Sequence, residues 1–98
     1  MAVTSISIIV GGPEVHVTVC DQNDNPLPPA DITWSGLPTG VTEAADATGF
    51  NFTADGSAVA GSTPATATYA GPNAVGTPTG ELTLDVMIGV TSLTFTSP

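Results

Sequence analysis

The chain contains no lysine and no arginine. Without cations it cannot neutralise phosphates, so nucleic acid is excluded as a partner class. It also cannot grip an anionic lipid surface, and no membrane partner is expected. An ion pair within the chain can form only through His16, the single histidine, or through the terminal amine. Cys20 is the sole cysteine, so no internal disulfide is available. No apolar run is long enough to span a bilayer. The opening residues Met1-Ala-Val-Thr-Ser-Ile6 lack the basic and long apolar regions of a signal peptide, so the chain is expected to stay in the compartment where it is made. No stretch has helical periodicity, and nine prolines and eleven glycines would interrupt one.

What remains is acidic and apolar. Nine carboxylates give a formal charge of −9; 41% of residues are apolar and only 9% are charged, against about 25% charged in an ordinary soluble chain. The apolar content argues against disorder, and 98 residues make one domain, 1–98. The surface must therefore be solvated mainly by Thr, Ser, Asn and backbone.

The dominant period is two. Along Val3–Val10, Ile6, Ile8 and Val10 share one face, and Ser5, Ser7 and Ile9 the other. Glu14–Cys20 alternates in the same way, with Val15, Val17 and Val19 opposite Glu14, His16, Thr18 and Cys20. Asp31–Ser35 presents Ile32 and Trp34, and Thr48–Ala54 presents Phe50 and Phe52. Val41–Ala45 reads as a short edge strand and Ala65–Ala70 as a further strand. In Glu81–Ile88, Leu82, Leu84, Val86 and Ile88 are expected inward, with Glu81, Thr83, Asp85 and Met87 outward. Val90–Thr96 reads as a last strand with Leu93 and Phe95 inward. Residues 21–29, 55–64 and 71–80 read as loops, rich in Asp, Asn, Gly, Ser and Pro. Seven or eight short strands in about 100 residues point to an all-β, antiparallel β-sandwich. Its core would be Ile6, Ile8, Val15, Val17, Val19, Ile32, Trp34, Phe50, Phe52, Tyr69, Leu82, Leu84, Val86, Leu93 and Phe95.

Few groupings carry chemistry. Asp21-Gln-Asn-Asp-Asn25 has oxygen spacing like a calcium loop, but Pro26 stands where such a loop needs Gly and Ile32 where it needs Glu. Asp21, Asp24 and Asp31 are the candidate calcium ligands, weighed against a plain Asx turn. His16 and Cys20, four residues apart on one strand face, are about 13 Å apart and cannot share a metal. A nucleophilic triad would need His16 as its base, and no Gly-x-Ser-x-Gly elbow exists. No catalysis and no cofactor are expected. The outward phase of Ile9, Cys20 and Met87 makes them candidates for a protein-contact face. The carboxylates Glu14, Glu43, Glu81 and Asp85 are candidates for meeting a basic surface. A carbohydrate-binding sandwich would need an exposed aromatic platform, yet the one Trp and the one Tyr fall in core phase.

Four stretches carry a family resemblance. They are Val3-Thr-Ser-Ile-Ser-Ile8; Val17-Thr-Val-Cys-Asp21 with Asn23-Asp-Asn-Pro-Leu-Pro28 and Ile32-Thr-Trp-Ser35; Ala45-Asp-Ala-Thr-Gly49 with Phe52-Thr-Ala54; and Ala65-Thr-Ala-Thr-Tyr-Ala70 with Leu82-Thr-Leu-Asp-Val86. Together they resemble the bacterial immunoglobulin-like domain of group 2, found in invasins, intimins and phage virion proteins. The resemblance implies an Ig-like sandwich with Trp34 between the sheets. With Met1 at the start, no export segment and a hydroxyl-rich acidic surface, it implies a phage virion accessory protein located on the head surface. Such a decoration protein would bind the major capsid protein or another virion protein, with a homotrimer as one expected assembly. The alternative it implies is a spacer or binding module of a bacterial cell-surface adhesin. Val90-Thr-Ser-Leu93 echoes Val3-Thr-Ser-Ile6, so residues 90–98 are expected either to complete the sheet or to form an arm that reaches a neighbouring copy.

Overall fold

The computed structural model describes residues 4–89 and 93–97. Seven strands form where the two-residue period is cleanest: β1 (Ser5–Ile9), β2 (Val15–Val17), β3 (Ile32–Ser35), β4 (Val41–Ala45), β5 (Phe50–Ala54), β6 (Gly61–Tyr69) and β7 (Thr79–Met87). A single 3₁₀ turn, Pro29–Asp31, leads into β3. The strands form a four-stranded sheet in the order β1-β7-β6-β3 and a three-stranded sheet in the order β2-β5-β4. The molecule is a seven-stranded all-β sandwich.

Four of the five pairings are antiparallel, as expected. The fifth, β1 with β7, is parallel, with Ser5 opposite Thr83 and Ile9 opposite Met87. A repeat of two residues describes either direction equally well, so alternation alone does not distinguish them.

The core lies between the layers and is built from the alternating faces. Ile8, Phe52 and Leu84 are fully enclosed. Val17, Ile32, Val41, Phe50, Leu82 and Val86 join them, and Ile6, Val15, Val19, Trp34 and Tyr69 pack against the cluster at half burial. The Trp34 ring meets Phe50 edge-on at 5.6 Å and Phe52 at 5.1 Å, the geometry that aromatic quadrupoles favour. Small residues complete it: Ala54, Ala58, Ala65 and Ala67 are buried. No polar or charged residue is buried among the described residues.

Some expectations require correction. β6 begins at Gly61 and β7 at Thr79, inside segments whose Gly, Ser and Pro content reads as loop. The long β6–β7 ladder recruits them, pairing Gly61 with Val86 and Thr68 with Thr79. Pro64 is tolerated because the β3 ladder stops at Thr66, so no β3 residue pairs with it. Ile88, expected inward, lies past the end of β7 and is exposed. Leu93 and Phe95, also expected inward, are 74% and 91% exposed and belong to no strand. Alternation gave them a face, but no partner strand is there to bury it. Val90–Ser92 lie outside the described residues.

Candidate functional site

The sequence-predicted residues fall into separate places. The best-connected polar group is on β2, where His16 stands opposite Asn51 of β5. Its Nδ1 lies 2.8 Å from Asn51 Oδ1 and 3.5 Å from Asp46 Oδ2, and its Nε2 lies 3.2 Å from Thr48 Oγ1. Asp46 itself is saturated. Oδ1 accepts from the Thr48 and Gly49 amides at 2.8 and 2.9 Å and from the Thr48 hydroxyl at 3.0 Å, while Oδ2 accepts from Asn51 Nδ2 at 2.9 Å. These bonds, led by the Thr48 amide, hold its pKa down at about 2.

Hydroxyl, imidazole and carboxylate thus stand in a row. However, the Thr48 hydroxyl also donates to the carboxylate, and none of the three lines either of the two cavities described below. The arrangement ties β2 to the β4–β5 turn. These partners come from a turn thirty residues away, whereas along its own strand His16 has Val15 and Val17 beside it and Glu14 and Thr18 in its phase.

The Asp21–Asn25 segment is an Asx turn. Asp21 Oδ1 accepts from the Asn23 and Asn25 amides at 2.8 and 3.0 Å, and the bond from Asn25 leads in lowering its pKa. Asp24 takes the left-handed conformation at φ 61°, and a bridge between Cys20 and Pro26 closes the loop. The proposed calcium set is not assembled: among the described residues no three His, Cys, Asp or Glu side chains are grouped to hold a metal ion. The Asp21 oxygen that would serve a cation is already engaged by backbone N–H groups.

Of the candidate contact residues, Ile9 and Met87 are direct cross-strand neighbours, 44% and 49% exposed. With exposed Ile88 they make an apolar corner at one end of the four-stranded sheet. Glu81 and Asp85 share the outer face of β7 with Thr83 and Met87, and Asp85 accepts a hydrogen bond from Ser62. Ser5 and Ser7 of β1, Thr66 and Thr68 of β6, and Thr33 and Ser35 of β3 extend that face as a field of hydroxyls. Glu14 is exposed ahead of β2. Glu43 departs from expectation, because it shares its face of β4 with buried Val41 and is half-buried. Cys20, exposed beside the Asx turn, is not part of the Ile9–Met87 corner.

One feature escaped sequence reasoning. At the far end of β7 from that corner, the layers part into a cleft of about 760 Å³ lined by Val19, Leu27, Ile32, Tyr69 and Val75, with Cys20 on its rim. A hollow of about 310 Å³ adjoins it, between Val17–Val19 and Trp34, Ala67, Gly80 and Leu82. Its cause is local. Trp34, Ala67 and Gly80 are register partners across three strands, and two of the three have almost no side chain to fill the space. Trp34 Nε1 is buried there without a hydrogen-bond partner. The clue was available in the small residues at inward phase, Ala65 and Ala67 of β6 and Gly80 of β7.

Among the described residues no helix is long and apolar enough to cross a membrane. No protein-family model, curated protein or solved structure matches the chain.

Proposed function

We propose that this chain is a protein-binding Ig-like module acting as a virion accessory protein, a head decoration protein that docks on the capsid surface. The observation that carries it is the outer face of the four-stranded sheet: hydroxyls from four strands, the carboxylates Glu81 and Asp85, and the apolar corner of Ile9, Met87 and Ile88. Such a face has few charges to strip of water, and its hydroxyls are cheap to bury where the partner supplies hydrogen-bonding groups. Its acids have no cation of their own chain to neutralise them apart from His16 and the terminal amine, so a basic surface on the major capsid protein is the complementary partner.

The strand order supports the Ig-like reading. β2-β5-β4 and β7-β6-β3 correspond to the B-E-D and G-F-C groupings of that fold, with β1 paired to the last strand. On a repeated lattice, many weak contacts add through avidity if copies are linked to one another.

The test is quantitative mass spectrometry of purified phage particles whose genome encodes the chain. Copy numbers matching the capsid lattice support the reading, and absence from the particles overturns it. Ile9→Asp with Met87→Asp should abolish retention of the protein on the particle.

A further inference from the structure

The cleft beside Gly80 and the exposed segment after β7 are complementary, and we propose that the Leu93–Ser97 segment of one copy docks in the cleft of a second copy. Leu93 and Phe95 stand two residues apart, so an extended segment points both to the same side. They are 74% and 91% exposed, with Thr94 between them and Thr96 and Ser97 next in the chain. The cleft offers what such a segment needs: apolar walls from Val19, Leu27, Ile32 and Val75, and a floor left empty by Ala67 and Gly80. A Cβ built on Gly80 meets nothing within 4 Å.

Electrostatics favours this segment as donor. The chain carries −9, and copies repel, yet Ile88 to Ser97 contains no ionisable side chain. It is the stretch a like-charged copy can approach at least cost.

Geometry favours a second copy over the chain's own cleft. The segment leaves β7 at Met87, whereas the cleft lies at Thr79 and Gly80. Met87 to Gly80 is about 24 Å along the strand. The six residues from Met87 to Leu93 reach at most about 22 Å even fully extended, without allowing for a turn. The long axis of 65 Å, against 23 and 20 Å across, is also about twice the length of a nine-residue strand. That length leaves room beyond the strands for an exposed segment such as Leu93–Ser97. Donor and acceptor lie at opposite ends of β7, so copies add end to end and stop only when a ring closes. This association does not depend on the capsid reading, because it needs no partner but the chain itself.

Sedimentation velocity of the full chain over a concentration series tests it. The expected result is a mass rising to two or more protomers. Leu93→Asp with Phe95→Asp, at exposed positions where folding is not at risk, should return it to one protomer. Gly80→Val, which fills the floor, should do the same. A peptide spanning residues 88–98, added to the double variant, should change the fluorescence of Trp34, the only tryptophan. A wild-type chain that stays monomeric at the highest concentration overturns the proposal. So does association that survives both the double variant and Gly80→Val.

Discussion

Gly49 shows how one residue can decide whether two strands meet. It is buried at the entry to β5, and a Cβ there would collide with the Val17 carbonyl oxygen. Backbone cannot swing aside as a flexible side chain can, so Gly49→Ala must push β2 away from β5. The expected loss is about 1–3 kcal/mol, read as a lower urea midpoint at unchanged slope. Asp46 belongs to the same turn and acts through charge. Its folded pKa, about 2, lies below the ordinary value of 3.8 because backbone and side-chain donors favour the carboxylate. A depressed pKa means stabilisation that is fully present above 3.8 and is lost as pH falls through about 2. Asp46→Asn should therefore lower the thermal midpoint at neutral pH, and the gap between variant and wild type should close through that acid window. A gap that persists below pH 2 would show that the turn's amide bonds do not depend on the charge.

Among the elements, protection should follow pairing. β5 is bonded on both sides, to β2 and β4, and β7 lies between β1 and β6. The amides of Phe52 and Leu84 are expected to exchange slowest, and those of three-residue β2 fastest among the strands, as followed by NMR. Protection of β2 above β5 would contradict this order. The legibility of the elements follows from the same physics. β1, β2, β5 and β7 could be read because branched or aromatic residues alternate there with Ser, Thr, Asn or acids, and burial then follows phase. The starts of β6 and β7 could not, because Gly61-Ser-Thr-Pro64 and Thr79-Gly80 have the composition of turns and become strands only through their neighbours. Leu93 and Phe95 carry correct local alternation without a partner. The apolar corner was half legible: Ile9 and Met87 were identified as outward, but their adjacency depends on the parallel register. The cleft leaves only a faint trace in the sequence, the small residues Ala67 and Gly80 at inward phase, because what matters about them is the volume they leave unfilled.

For the molecule as a whole, charge is the main electrostatic fact. Nine carboxylates share one small surface, and among the described residues the only ion pair is that of His16 with Asp46, which counts as such only when the imidazole is protonated. Self-repulsion opposes compaction and is screened by salt, with a Debye length of about 8 Å at physiological ionic strength. The thermal midpoint should rise between low salt and physiological salt, as measured by calorimetry. A flat response would mean that the acids lie too far apart to sense one another. The parallel pairing of β1 with β7 has a mechanical consequence at this scale. The chain enters β1 beside Thr83 and leaves β7 beside Ile9, so whatever is attached before Ser5 and after Met87 pulls from opposite ends of the sandwich. Tension then slides the two terminal strands past each other lengthwise. The hydrogen bonds between them share the load in shear instead of unzipping one by one.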